Sequence, residues 1–241
     1  MLVVVVPLEP RADGHREGGY DRRLSDLSVC RHKLAGYRLS EAAGGGSVVE
    51  VNESHAILCA SPDWAEHLES EVLAPLVAAV DLGDEMLELG PGPGAATRWL
   101  RHRVKRLVAL ELDATAAAQL ADELAGSNVT VEVGDCTCAP YPGASFDAVG
   151  AFTMLHHLPT QALQFATLCE AFRLLRPGGV LLGADSLASQ ELHRFHEGDT
   201  YNPIDPARLL VFVQAAGFAR VTLTVGQGLL FTSHKPLEGD R

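Results

Sequence analysis

Glu85-Met86-Leu87-Glu88-Leu89-Gly90-Pro91-Gly92-Pro93-Gly94 is the stretch on which the fold turns. Its first half reads as a buried strand, three alternating glycines follow at once, and a helical pattern runs behind them from Ala95 to Arg103. Glycine lets the chain turn tightly and lets a ligand approach where a Cβ would clash. A helix start behind such a turn offers unpaired backbone N–H groups and the positive end of a dipole. Strand, glycine turn and helix in this order predict the opening unit of a nucleotide-binding α/β fold.

The same alternation continues outward. Strands are expected at 85–89, 107–110, 129–133, 146–152 and 180–185, with helices at 95–103, 114–125 and 160–175 between them. Before the first strand, Ser61 and Pro62 form a helix start, and Trp64, Leu68, Val72, Leu76 and Val80 follow helical spacing. After it come a helix at 206–216, with Asp205 as a possible cap, and two strands at 220–225 and 229–233. The strands are joined by Gly226-Gln227-Gly228, short enough for a hairpin. This predicts a Rossmann-like, doubly wound, mostly parallel sheet with an antiparallel C-terminal strand. Residues 1–46 carry scattered charges, two glycine runs and no sustained apolar period. They read as a loosely ordered N-terminal extension with one short helix around Asp26 to Leu39, or as a lid over a substrate; residues 47–241 form the folded domain.

The glycine turn alone leaves two ligand classes open, because Gly90-x-Gly92-x-x-Ala95 also satisfies the loose dinucleotide pattern. A dinucleotide would place its pyrophosphate at the turn; an adenosyl-sulfonium cofactor would place its amino-acid end and ribose there. Glu88 separates them, since a carboxylate repels a pyrophosphate and accepts a bond from a methionine ammonium. Glu111, 21 residues past Gly90 at the end of the next strand, can accept both ribose hydroxyls in either case. Asp135 closes the third strand, where its carboxylate can accept from an adenine amino group while the Cys136 backbone N–H reaches a ring nitrogen. A turn-forming Gly134-Asp135 pair is the plain alternative.

Taken with further segments, these residues resemble the class I S-adenosylmethionine-dependent methyltransferases, in particular the small-molecule group of ubiquinone and menaquinone biosynthesis. The segments are Glu88 to Gly94, Glu111-Leu112, Gly134-Asp135, Ser145-Phe146-Asp147-Ala148-Val149, Leu155-His156-His157-Leu158 and Leu174-Leu175-Arg176-Pro177-Gly178-Gly179-Val180-Leu181. The resemblance runs from about Ser61 to the end and implies a seven-stranded sheet. It also implies an S-adenosylmethionine site at Glu88, Gly90, Gly92, Gly94, Glu111, Leu112 (beside the adenine), Asp135 and Cys136, with Phe152 near the methyl-bearing sulfur. The implied activity is in-line methyl transfer to a small molecule. The rival readings are an NAD(P)-dependent oxidoreductase, against which the lack of a Tyr-x-x-x-Lys pair weighs, and a non-catalytic cofactor-binding module.

Methyl transfer from a sulfonium asks the protein chiefly for positioning, worth roughly 7–11 kcal/mol in good geometry. A base is required only when the acceptor must lose a proton. His156 and His157 follow the fourth of these strands, and His196 lies in the irregular stretch after the fifth, so these three are the catalytic candidates. The plain alternatives are a packed or capping histidine and a solvated loop. His193-x-x-His196 lacks an identifiable third ligand, and Cys136 and Cys138 are not spaced as a zinc knuckle, so no metal site is expected. Tyr201-Asn202-Pro203-Ile204-Asp205-Pro206 has a superficial likeness to the Asn-Pro-Pro-aromatic motif of amino-methylating nucleic-acid enzymes, but follows the wrong strand and lacks the second proline.

Composition narrows the partners. Across 241 residues, 31 acidic side chains face 19 basic ones, a net charge of −12. That balance argues against binding a phosphate backbone and favours a small acceptor. The apolar run at Met1 to Pro7 is too short for a signal sequence, no stretch approaches a membrane span, and five cysteines without framework spacing suit reduced thiols. A cytoplasmic protein without membrane contact is expected. The oligomeric state is left open, a homodimer being one option.

Overall fold

The computed structural model describes residues 2–6 and 52–239. The rest of the expected extension, including the short helix around Asp26 to Leu39, lies outside the described residues. Eight strands form one sheet: β1 (Leu2–Val6), β2 (Glu85–Leu89), β3 (Arg106–Glu111), β4 (Val129–Val133), β5 (Phe146–Phe152), β6 (Leu175–Asp185), β7 (Ala219–Val225) and β8 (Leu229–His234). Their order is β1-β7-β8-β6-β5-β2-β3-β4. Strands β2 to β6 pair in parallel, and β8 runs antiparallel between β6 and β7. The mostly parallel α/β sheet and its antiparallel C-terminal strand are therefore present as expected.

The strand count differs from the expected seven. The additional strand is β1, whose Leu2–Val6 pairs antiparallel with Val221 to Val225. A short run of β-branched residues carries little signal until a partner edge is known, and Val3-Val4-Val5 finds one in β7. Two helices were also missed: α1 (Glu53–Cys59), capped by Asn52, and the helix Gln190–Phe195, capped by Ser189, in the stretch expected to be irregular. The helix beginning at Pro62 is not regular either. It passes from α2 (Pro62–His67) through a π-helical segment, Leu68–Leu73, into α3 (Ala74–Ala78). Pro75 has no N–H to give the preceding turn, and the wider segment accommodates it.

The middle strands are apolar along their whole length because both faces are covered. Leu68, Val72 and Leu76 pack with Met86, Leu107 and Leu182 on one face. Helix α6 (Gln161–Leu174) and the helix Pro206–Ala216 cover the other, around Leu87, Val149 and Leu181. Helices α4 (Ala95–Leu100) and α5 (Ala114–Glu123) complete the βα units. At the N-terminal ends of the strands, Arg176 forks between Glu85 and Asp147 at 2.5 and 2.6 Å, while Asp147 also accepts the Asp84 and Glu85 N–H groups at 3.0 Å. A Cβ on Gly179 would lie 2.8 Å from the Asp147 carbonyl oxygen, so only glycine fits beside this clasp. The chain runs from β2 to β3 and β4 on one side, then crosses to β5 and β6 on the other. The C-terminal ends of β2 and β5 flank that reversal, the place where open α/β sheets hold their ligands.

Candidate functional site

At the end of β2 the chain turns through Gly90, Gly92 and Gly94, all at positive φ. The three glycines face different surroundings. A Cβ on Gly94 would lie 2.3 Å from Leu120, so that glycine lets α4 approach α5. On Gly90 it would meet the Met154 side chain at 3.1 Å, whereas on Gly92, at φ +53°, it would meet nothing within 4 Å. Gly92 thus combines a left-handed backbone with open space, as a ligand cradle requires.

The three acids expected around this turn sit at the C-terminal ends of adjacent parallel strands. Glu88 pairs in register with Ala109, and Glu111 with Val133, two residues before Asp135. Glu88 is 2% exposed and one of its carboxylate oxygens has no partner. Burial pushes its pKa up to about 7, with the Thr97 hydroxyl pulling the other way and the Glu111 charge adding to the rise. The Arg98 charge offsets this only in small part, and a cationic ligand group bonded to the bare oxygen would relieve the cost of burial. Glu111 already works in the turn: Oε2 accepts the Gly92 N–H at 3.0 Å, and Oε1 accepts the Leu112 and Asp113 N–H groups at 2.8 and 3.0 Å. Asp135 accepts the Thr137 N–H and hydroxyl at 2.8 and 2.7 Å, so the turn-forming role foreseen for it is present. Leu112 and Val133 are 40% and 56% exposed at the ends of β3 and β4.

Two expected contacts lie deeper. The Cys136 sulfur is 3.4 Å from the Thr167 hydroxyl and burial lifts its thiol to about 12, so the side chain packs inward and its backbone N–H is the group left for a ligand. The Phe152 ring sits in the core with Met86, where a Cβ on Gly150 would lie 2.6 Å from it. Met154, missed from the sequence, is the side chain that lies against the Gly90 turn.

Glu111→Ala removes three backbone-to-carboxylate bonds at once. It is expected to weaken S-adenosylmethionine binding by about 1–3 kcal/mol and to lower unfolding stability by a similar amount. Calorimetric titration and urea denaturation read the two losses separately; unchanged values in both would remove Glu111 from the site.

One strand over, the ends of β5 and β6 carry a histidine cluster. His156 and His157 occupy a 3₁₀ turn, Leu155–His157, and His196 caps the helix Gln190–Phe195. His55 on α1 joins them, with ring centroids 4.9 Å from His157 and 4.7 Å from His196. His156 is buried with its Nδ1 2.7 Å from Asp185 at the end of β6, and its Nε2 has no partner. His157 Nδ1 faces the Thr200 carbonyl at 3.2 Å, and His196 Nδ1 the Leu192 carbonyl at 2.7 Å. His193 is exposed and stands apart, its ring against Tyr201. The structure therefore brings the three catalytic candidates together and adds His55, Asp185 and Asp199. An acid closing a buried strand, as Asp185 does in Gly183-Ala184-Asp185, is the signal that could have found the second of these; nothing local marks His55.

Residues 87–183 match the protein family described as "Methyltransferase domain". That segment carries a methyltransferase domain of the class I, S-adenosylmethionine-dependent kind. A "probable S-adenosylmethionine-dependent methyltransferase" of Mycolicibacterium smegmatis is 30% identical over 159 residues, 61% of this chain and 57% of that protein. The 27-O-demethylrifamycin SV methyltransferase of Amycolatopsis mediterranei is 32% identical over 110 residues, 44% of this chain and 39% of its own. Ribosomal RNA small subunit methyltransferase A of Geobacter metallireducens is 50% identical over 48 residues, 19% of this chain and 18% of its own. The chain thus spans little more than half, or less, of these relatives' length. A SAM-dependent methyltransferase of Methanosarcina mazei shares the fold at a TM-score of 0.58 and 16% identity, covering 69% of this chain and 99% of that one. The cofactor of this methyltransferase domain is S-adenosylmethionine, and the cradle fits it: an unpaired acid lies beneath the glycine turn and open space lies at Gly92. Among the described residues no helix is long and apolar enough to cross a membrane.

Proposed function

We propose that the protein transfers the methyl group of S-adenosylmethionine to a small, proton-bearing acceptor held against the histidines at the ends of β5 and β6. The observation that carries this reading is the buried, unpartnered oxygen of Glu88 beneath the glycine turn. It suits the cofactor's ammonium and disfavours a pyrophosphate, which weighs against an oxidoreductase. Bound there, S-adenosylmethionine supplies an electrophilic methyl group on a sulfonium. Around it, Glu88 takes the ammonium, Glu111 the ribose hydroxyls, and Asp135 with the Cys136 N–H the adenine edge; Leu112 underlies the ring. Met154 packs behind the turn, and the Phe152 ring supports the floor from within the core.

The histidines shape the acceptor. Thr200 and Leu192 offer carbonyl oxygens, which only accept, so His157 and His196 carry their protons on Nδ1. Asp185 faces the Nδ1 of His156 at 2.7 Å and orients that ring. The Nε2 of His156 is buried without a partner, and an acceptor's hydroxyl or amine would meet it there. This buried, aromatic surface, in a chain of net charge −12, supports a small molecule over a nucleic acid.

An acceptor panel read out by release of S-adenosylhomocysteine tests the reading. His156→Ala is expected to retain cofactor affinity within about twofold while losing turnover by roughly 100-fold or more, the usual range for a positioned proton-handling group. Failure of the wild-type protein to bind S-adenosylmethionine would end the proposal; undiminished turnover in the variant would remove His156 from it.

A further inference from the structure

His55, His157 and His196 come from three separate segments, yet one ring nitrogen of each lies within 4.8 Å of the other two. The Nδ1 of each is already held by an oxygen: Asp199 Oδ2 for His55 at 3.0 Å, the Thr200 carbonyl for His157 at 3.2 Å and the Leu192 carbonyl for His196 at 2.7 Å. Nε2 is therefore the nitrogen that each ring has left, and it is a lone pair. Lone pairs on neighbouring imidazoles cannot bond one another. His55 and His196 are 6% and 4% exposed, and the His196 Nε2 is buried without any partner. Something that accepts electron pairs, or a water that donates two protons, has to satisfy them.

The surroundings are those of a metal ligand set. Histidine ligands to a cation usually donate the second ring N–H to a carboxylate or carbonyl, which fixes the tautomer and raises ligand basicity. All three do so here. Asp199 is braced in turn: its other oxygen accepts the backbone N–H of Asn52, the residue whose side chain caps α1 and donates to the Phe195 carbonyl at 2.7 Å. In a tetrahedral site with nitrogen ligands at about 2.0–2.1 Å, the nitrogens stand roughly 3.4 Å apart, so closure asks for a movement of about 1 Å.

We propose that His55, His157 and His196 form a three-histidine site for a borderline divalent cation of the zinc type, oriented by Asp199 and leaving a fourth position for water or an acceptor oxygen. Imidazole nitrogens select this class over the hard cations, which prefer oxygen donors. Binding of the ion stands apart from the methyltransferase reading. Only its use rests on that reading: an ion beside His156 would polarise an acceptor hydroxyl and ease loss of its proton.

The test uses tag-free, full-length protein stripped with a chelator, then titrated with Co2+ and with Zn2+. The expected result is about one equivalent of either metal per chain, with the intense visible bands of four-coordinate cobalt. His55→Gln and His196→Gln should abolish those bands, Asp199→Asn should weaken affinity by roughly 10–100-fold, and His193→Ala should change neither. Circular dichroism and S-adenosylmethionine titration of each variant show whether it is folded. Should a glutamine variant unfold, Asp199→Asn and the wild-type stoichiometry decide. Folded wild-type protein that takes up neither metal overturns the site, as does uptake that survives in folded His55→Gln and His196→Gln. Either result leaves the cofactor titration, and so the methyltransferase reading, to stand or fall separately.

Discussion

Gly92→Val is expected to raise the dissociation constant for S-adenosylmethionine by at least about 100-fold, near 2.7 kcal/mol, while the protein stays folded. The two halves of that expectation have separate causes. In the free protein a Cβ at this position meets nothing within 4 Å, so bulk alone displaces no neighbour. The backbone, however, sits at φ +53°, and an L side chain there costs about 1–2 kcal/mol. Gly92→Ala carries most of that backbone cost without the isopropyl group, so it serves as the control for strain. Melting temperatures of the two variants should be close to each other, and their cofactor affinities far apart. A valine variant that binds as the wild type does would show that the space over Gly92 is not where the ligand lies.

Glu88→Gln should move stability and binding in opposite directions. The folded-state pKa of Glu88 is raised from 4.5 to about 7, so the group favours folding while protonated. That contribution is complete below 4.5 and is lost as pH rises through about 7, at up to about 1.4 kcal/mol per pH unit. At about pH 8 the free wild-type protein therefore carries a buried, unpaired charge. Glutamine removes it, and the variant should unfold at higher urea concentration than the wild type at that pH and show little difference near pH 5. The cofactor's ammonium needs the carboxylate, so the variant should lose at least about tenfold in affinity. Wild-type affinity itself should rise between about pH 5.5 and 7.5 as Glu88 ionises. A variant that is less stable at about pH 8, or an affinity flat across this window, would remove Glu88 as the ammonium partner.

The elements near the turn were legible because local pattern and tertiary role agree there. The strands 85–89, 129–133 and 146–152 and the helix 206–216 have the bounds expected, and Ser61, Pro62 and Asp205 cap helices as read. Glu88, Glu111 and Asp135 could be placed because acids at the ends of consecutive parallel strands must share one edge of the sheet. What escaped depends on contacts across long stretches of chain. The strand Leu2–Val6 needs β7, and His55 meets Asp199 across 144 positions. His193 looked equivalent to His196 in sequence, yet His193 in the last turn of a short helix is exposed while His196, its C-cap, is buried in the cluster. The search for a third metal ligand was likewise confined to neighbours in sequence, whereas in space His55 and His157 lie beside His196.

The fork that Arg176 makes between Glu85 and Asp147 ties the starts of three strands together, at the end of the sheet remote from the glycine turn. The segments Ser145 to Val149 and Leu174 to Leu181, two of those on which the resemblance rests, are therefore masonry at the foot of the building and take no part in choosing what enters at the top. Two proteins could share every residue of that foundation and still methylate unrelated compounds.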